Sequence, residues 1–470
     1  MNAMLAQLIG IIFILTNFGA IVAHPVDKEN EAEASTNNNV DKVTTNYVEA
    51  LVTDEEHLNS MRMFAVEWAH NNALIFRTKK HPTKSDVSTI APCSLFPSPF
   101  PRQPFEQALA VQKAMNELYF RIGTDFAFLQ EAYKDVIEAD DHFRNMMDML
   151  KSVHEEGIKQ PITVIFQRAD QNGEEPTYEI KQLEVNCGSI AGTSLDRHTA
   201  ELNHVMLKKA GFHAAPEDLP ENWPDKAQIE SIKMAWELYG NPDAIVVILI
   251  SDDSQTVFDA RFFETELDRL SDGKIQVARV TLNECAIRCS LDEETPSCGW
   301  MVARKMIERS QAIKIPSAFV EFSCSKKVQQ LLAEQGMVER FFPNENDAET
   351  VKAIRQTFTG LWSLDKEDKA TQDRIEDAIA NPNNYRPYYV LMQKLRPMPI
   401  KNIMIHPLTA PKIDTMVSEL GVYGVLLGNM LTKEVKHNVQ QGHLLKTKLE
   451  TANEGGISTG TAVHDSPILF

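Results

Sequence analysis

A chain of 470 residues, 43% hydrophobic and 24% charged, carries enough apolar material for two or three domains with sizeable cores. Its formal net charge of -19, from 66 acidic against 47 basic side chains, argues against nucleic-acid backbones and anionic membrane surfaces, which repel an acidic protein. Six cysteines at this length exclude a miniature scaffold held by disulfides alone.

Residues 1–23 are apolar and uncharged, too short and interrupted for a membrane span, and end at Ile21-Val22-Ala23 before His24-Pro25. This reads as a secretory signal peptide and predicts a secreted protein with no membrane attachment after cleavage. Residues 24–46 are acidic and rich in Asn and Thr without apolar periodicity, which predicts a disordered leader. Helical spacing follows from Val48 to Arg77 through Leu51, Leu58, Met61, Phe64, Ala65, Trp68 and Ala69. After the proline-rich bend Phe96 to Pro101, one long helical stretch is predicted from Pro104 to about Met149. Pro161–Gln167 and Tyr178–Cys187 read as strands, with Gln171-Asn172-Gly173 as the turn signal between them.

The run Ala244–Ile250 is continuously apolar and rich in Ile and Val, as a parallel strand buried on both faces requires. A helix from Asp259 to Leu270 and a strand near Ile275–Leu282 complete a unit of an open α/β sheet. Ligands in such sheets sit beyond the carboxyl ends of the strands, here Ser251 to Thr256. A further helix is expected over Trp300–Ser310, and strands over Tyr388–Met392, Asn402–His406 and Gly421–Leu427. Cys285, Cys289 and Cys298 cluster without a suitably placed histidine, so a disulfide within this trio is expected rather than a zinc site.

The strand Lys181-Gln182-Leu183-Glu184-Val185-Asn186 carries the first chemistry. Alternation turns Glu184 and Asn186 to one face, their Cα atoms roughly 6–7 Å apart. A carboxylate and an amide oxygen at that spacing can share a Mg²⁺ that keeps several waters. Taken alone, such a pair is more often a solvated face. The second phrase is Gly442-His443-Leu444-Leu445-Lys446-Thr447-Lys448, followed by Gly455-Gly456-Ile457-Ser458-Thr459-Gly460-Thr461-Ala462-Val463.

These phrases resemble eukaryotic glutathione synthetase, as do Leu95 to Pro101, Ala235 to Gly240, Lys326 to Gln330 and Ser418 to Gly421, all in family order. The resemblance implies an α/β ATP-grasp fold with an inserted open parallel-sheet substrate domain. It divides the chain into an N-terminal ATP-grasp segment (47–225), a substrate-binding domain (226–330) and a C-terminal ATP-grasp segment (331–470). It implies Mg²⁺ and ATP as cofactors, a γ-glutamylcysteine-like thiol peptide as ligand, and a homodimer. Glu184 and Asn186 would be metal ligands. Lys326, Met392, Gln393, Leu395, Glu419 and Glu454 would contact ATP. Arg168, Ser189, Ser254, Thr256, Ala260, Lys446, Ile457 and Ser458 would line the peptide and glycine site, and Lys446 and Lys448 would be catalytic.

The departures from the family fall on the same sites. The glycine-rich segment that should precede Tyr389-Val390-Leu391-Met392 is missing, and with it a portion of the ATP clamp: a phosphate-binding lysine, a metal-ligating glutamate and backbone donors. The phrase Phe-Arg-Asp-Gly-Tyr has no counterpart; Asn283–Cys298 stands in that region. Gln393 replaces a glutamate, Lys446 an arginine, Ser458 an alanine and Ala191 a serine. Ser254, Thr256 and Ala260 replace the family's Glu, Asn and Gln contacts. The chain most resembles the secreted glutathione-synthetase-like effectors of plant-parasitic nematodes. Three readings follow: a secreted homologue that binds a ligand or host target with little normal ligase activity, an active ligase with an altered substrate, or an incomplete splice or gene-model form.

Overall fold

The structure, a computed structural model, describes residues 11–14, 43–78, 80–81, 84, 86–174, 178–188, 190, 192–250, 255, 257–289, 300–363, 390–406, 410–452, 455–457 and 460–470. In chain order the elements that position the site begin with β1 (Ile11–Ile14), α1 (Glu55–Asn71), β2 (Cys93–Ser94) and α2 (Arg102–Gly123). Then come α3 (Asp141–Glu156), β3 (Ile162–Glu174), β4 (Glu179–Cys187), α4 (Thr193–Lys209) and α5 (Pro224–Tyr239). The open α/β unit contains β5 (Ile245–Leu249), α6 (Val257–Ser271), β6 (Gln276–Val280), α7 (Leu282–Arg288), α8 (Trp300–Arg309) and β7 (Lys314–Ile315). Helix α9 (Lys326–Leu332) precedes a small hairpin of β8 (Leu361–Ser363) and β9 (Val390–Met392). The chain closes with β10 (Ile400–Ile405), β11 (Ile413–Asn429), β12 (Val435–Leu449) and β13 (Ala462–Asp465).

One 11-stranded sheet runs in the order β10-β2-β13-β12-β11-β3-β7-β1-β5-β6, with β4 beside the outer half of β3. Strand β10 also pairs with β11, so β10, β2, β13, β12 and β11 close into a ring. The two ends of the sheet differ as the sequence patterns do. β5 and β6 pair in parallel from Ile245↔Gln276 to Leu249↔Val280, and Val246 to Leu249 are buried, as their unbroken apolar run requires. β3, β11 and β12 pair antiparallel and place alternate residues on opposite faces. Strands from all three expected divisions of the chain share this sheet.

The first 23 residues were expected to leave as a signal peptide; within them, β1 pairs in parallel with both β5 and β7. A chain without β1 would leave β5 and β7 separated by about two strand spacings, roughly 9–10 Å.

Two sequence expectations are corrected. The helical stretch from Pro104 to Met149 is broken into four helices. Asp125 accepts from the Phe128 backbone N–H and Asp140 from that of Phe143, so each aspartate starts a new helix where apolar periodicity ran on unbroken. The phrase Gln171-Asn172-Gly173 is not a turn. It lies inside β3, paired with β4 from Gln171↔Gln182 to Gly173↔Ile180, because the demand of the long sheet outweighs local turn preference.

The cores flank the sheet. Apolar faces of α2 and α3 pack with Val185 of β4, Phe319, Phe322 and Val328. Helix α1 and α4 pack with Leu95, Phe96, Ile403 and Ile405. Helices α5 and α6 cover β5, Val164 and Phe166.

Candidate active site: a charged face over four strands

The candidate site is built by strand register. In β3, Arg168 and Asp170 stand two residues apart and share a face. Register sets Arg168 opposite Asn186 and Asp170 opposite Glu184 on β4. On the other side Asp170 lies opposite Gly421 of β11, and Glu419 is paired with Lys446 of β12. Four neighbouring strands thus deliver six charged or amide side chains to one patch. Gly421 is required there: a Cβ at that position would lie 2.7 Å from Asp170 Oδ1 and 2.9 Å from Arg168 Cδ.

The Arg168 guanidinium donates to both oxygens of Asp170, at 2.6 and 2.8 Å. Lys446 Nζ donates to Asp170 Oδ2 at 3.0 Å and pairs with Glu419 at 2.5 Å and Glu184 at 3.9 Å. The Asn186 amide nitrogen donates to Asp170 at 3.2 Å and Glu184 at 3.1 Å. Lys326, the first residue of α9, reaches across the free edge of β4, donates to the Leu183 carbonyl and stands 3.9 Å from Glu184.

Electrostatics follow from this crowding. Burial alone would push the fully buried Asp170 carboxyl up, but Arg168 and Lys446 outweigh it and hold it well below the usual carboxylate range. Lys446 is raised for the mirror reason: Asp170 and Glu419 overcome the burial that would lower it. Burial, with the charges of Asp170 and Glu184, pushes Glu419 up against the pull of Lys446. Burial lowers Lys326, partly offset by Glu184.

The six expected residues Arg168, Glu184, Asn186, Lys326, Glu419 and Lys446 thus form one cluster. Asp170, at its centre, was missed; its signal was the two-residue spacing from Arg168 on a strand. Lys448 lies two residues beyond Lys446 on β12, and a Cβ at Gly455 would sit 3.6 Å from its Cδ, so the Gly455-Gly456 stretch approaches this lysine. Met392 pairs with Leu361 in the hairpin that packs against α9, and Leu395 is buried. The Gln393 side-chain oxygen accepts from Gly360 N–H at 3.2 Å. Ala260 on α6 and Ile457 both pack against the apolar cluster around β5. Ser189, Ser254, Thr256, Glu454 and Ser458 lie outside the described residues, as does the region of the missing glycine-rich segment.

The expected disulfide is corrected too. Cys285 and Cys289 are free thiols and Cys298 lies outside the described residues. The disulfide found is Cys187–Cys324, spanning 137 residues. It joins the end of β4, one residue past Asn186, to the turn that leads into Lys326. Only the tertiary fold brings these two cysteines together, whereas Cys285 on α7 and Cys289, the residue just past its end, pack in one small apolar cluster.

An implied Mg²⁺ has a partial fit. Oxygens of Asp170, Glu184 and Glu419 lie within 4.8 Å of one another, which suits an oxygen-coordinated divalent ion. Yet the side chain that contacts all three is Lys446, and Asn186 offers its N–H groups rather than its oxygen. The arrangement as it stands does not present an open divalent site.

An acidic-and-basic face on a mixed sheet, beside a helix that begins with lysine, is the arrangement that the resemblance to an ATP-grasp ligase leads one to expect. The family profile described as eukaryotic glutathione synthase, ATP binding domain, matches residues 55–386 and 382–469. The mouse glutathione synthetase is 31% identical over 474 residues, covering 89% of this chain and 98% of the relative. The human enzyme is likewise 31% identical with the same coverage. A solved glutathione synthetase-like effector from Globodera pallida, in its apo form, superposes with a TM-score of 0.74 at 29% identity, over 90% of this chain and 99% of the other. The chain belongs to the eukaryotic glutathione synthetase family.

Proposed function

We propose that this chain is a secreted member of the family that holds a small zwitterionic thiol peptide on the Arg168–Lys446 face and ligates it to glycine slowly or not at all. The observation that carries the reading is the Cys187–Cys324 disulfide. Structural disulfides persist in oxidising compartments, which supports secretion. This one also pins the strand bearing Glu184 to the segment bearing Lys326, so the two cannot separate and close around successive reactants as a ligase cycle asks. The intermixed cations and carboxylates at the site suit a dipeptide with charges of both signs better than a naked polyanion. The likeness to a solved effector of the same family points the same way.

The reading is tested by supplying γ-glutamylcysteine, glycine and Mg²⁺-ATP and measuring glutathione. Loss of even one well-placed charged stabiliser slows such chemistry about 10²–10³-fold, and at least that deficit is expected against an active relative. Glutathione formed at the relative's rate would sink the reading. It would instead favour an active ligase using Glu184, Asn186, Lys326, Glu419 and Lys448. Secretion is checked by the N-terminus of the exported chain, expected at His24. Because that product lacks β1, backbone exchange over Ile245–Leu249 is expected to be faster in it than in the full chain.

A further inference from the structure

We infer that the Lys446 ammonium is the resident cation of this site: it occupies the place between Asp170, Glu184 and Glu419 where a divalent metal would bind, so that metal and Lys446 compete. The inference rests on the assignment of this face as the site, and not on whether the chain is exported or ligates.

Three observations converge. First, backbone register alone brings the amine there, because Lys446 is the direct cross-strand partner of Glu419. Its side chain is only 12% exposed, and its nitrogen lies 2.5, 3.0 and 3.9 Å from oxygens of Glu419, Asp170 and Glu184. Second, the other donors complete the satisfaction of the carboxylates. Arg168 takes both oxygens of Asp170, and Asn186 turns N–H groups to Asp170 and Glu184. Third, every carboxylate of the cluster already has a cation. Arg168 and Lys446 meet Asp170, Lys446 meets Glu419, and Lys326 and Lys446 stand at Glu184, as a partly desolvated cluster requires.

A divalent ion entering this patch would add two positive charges to a partly buried cluster whose carboxylates are already met by cations. It would also have to displace Lys446 from Glu419 and turn Asn186 away. The lysine therefore sets the metal affinity of the site. A ligand bringing its own negative charge would restore the balance and allow the exchange of lysine for metal.

Manganese titration of the full-length protein, without nucleotide or peptide and followed by electron paramagnetic resonance, tests this. The Lys446→Met variant is expected to bind one Mn²⁺ at least tenfold more tightly than the unaltered protein, and Lys446→Met/Glu184→Gln is expected to lose that gain. Equal affinity in the unaltered protein and Lys446→Met would overturn the inference. Should the variant fail to fold, labelling the unaltered protein with an amine-reactive reagent decides. Lys446 is expected to be protected without metal and to become reactive in proportion to any Mn²⁺ bound. Free labelling without metal, or bound Mn²⁺ with Lys446 still protected, would overturn it. Because neither ATP nor thiol peptide is present, the outcome is separate from that of the glutathione assay.

Discussion

Two fully buried aspartates sit on neighbouring regions of one sheet and are held by opposite means. Asp170 is met by cations: Arg168 from its own strand and Lys446 from two strands away. Asp465, on the ring of strands, is met by neutral donors. The hydroxyls of Ser94, Ser98 and Thr447 donate at 2.5–2.6 Å and the Ser466 backbone N–H at 2.7 Å. Burial pushes both carboxyls up, and only charge reverses it: Asp170 lies well below its ordinary value while Asp465 is pushed up to about 6. The difference separates a polar network that ties strands together from a charged one that can exchange its partners. Hydroxyl donors fix Asp465 at little electrostatic stake, whereas the cations at Asp170 are groups a ligand or metal could draw away.

The largest effect is expected from Asp170→Ala. Removing this carboxylate strands Arg168 and Lys446 in a largely buried face, a change that typically costs about 3–5 kcal/mol. Urea unfolding would measure it, and a loss below about 1 kcal/mol would mean that Arg168 and Lys446 find solvent or other partners readily. Next is the disulfide beside the same face. Cys187→Ala/Cys324→Ala is expected to lose roughly 2–4 kcal/mol, because a long loop is freed in the unfolded chain. A reducing agent should lower the melting temperature of the native protein and leave that of the double variant unchanged.

The comparison then predicts opposite responses to pH. Asp465 has a folded-state value above its unfolded one, so its contribution is fully present below about pH 4 and is lost as pH rises through about 6. Asp170 is depressed, so its contribution is present above the unfolded value and is lost as pH falls toward its folded one. Asp465→Asn removes the first dependence. Its stability relative to the native protein should rise between about pH 4 and 7 by roughly 2–3 kcal/mol, the free energy of a shift of about two pH units. A pH-independent difference would show that Asp465 titrates in the folded protein as it does in the unfolded chain.

Part of the charged face was legible in the sequence: strand alternation named Glu184 and Asn186, and the family resemblance added Arg168, Lys326, Glu419 and Lys446. Glu184 and Asn186 lie on a strand read from its own pattern, and β5 announced itself by its run of Ile and Val, whereas Arg168 and Glu419 fall just outside the expected strands Pro161–Gln167 and Gly421–Leu427 and no strand was expected at Lys446. Asp170 escaped because a carboxylate near an arginine looks solvated until register shows what lies on its other side. Lys326 and the Cys187–Cys324 pair could not be read from spacing, since closing 143 and 137 residues of chain is a property of the whole fold. The helix breaks at Asp125 and Asp140 were hidden for a local reason. Apolar periodicity passes straight through them, and only the side-chain caps show where each helix restarts.

The smallest of these effects sharpens the comparison most finely, because it perturbs the cation-held aspartate without removing a charge. Gly421 lies directly across from Asp170, and an added methyl would come within 2.7 Å of the carboxylate and 2.9 Å of the Arg168 side chain. Gly421 is not at a positive-φ position, so alanine meets no backbone strain there, and the penalty comes from displacement of the ion pair alone. Gly421→Ala is therefore expected to cost about 1–3 kcal/mol, the usual range for an overpacked interior site. Crossing it with Asp170→Ala separates the two causes. If the methyl acts by displacing Asp170, its cost should shrink markedly once the carboxylate is gone, a coupling that the double-mutant cycle reads directly. Additive losses would mean that Gly421 serves the packing of β11 against β3 and leaves the charged cluster untouched.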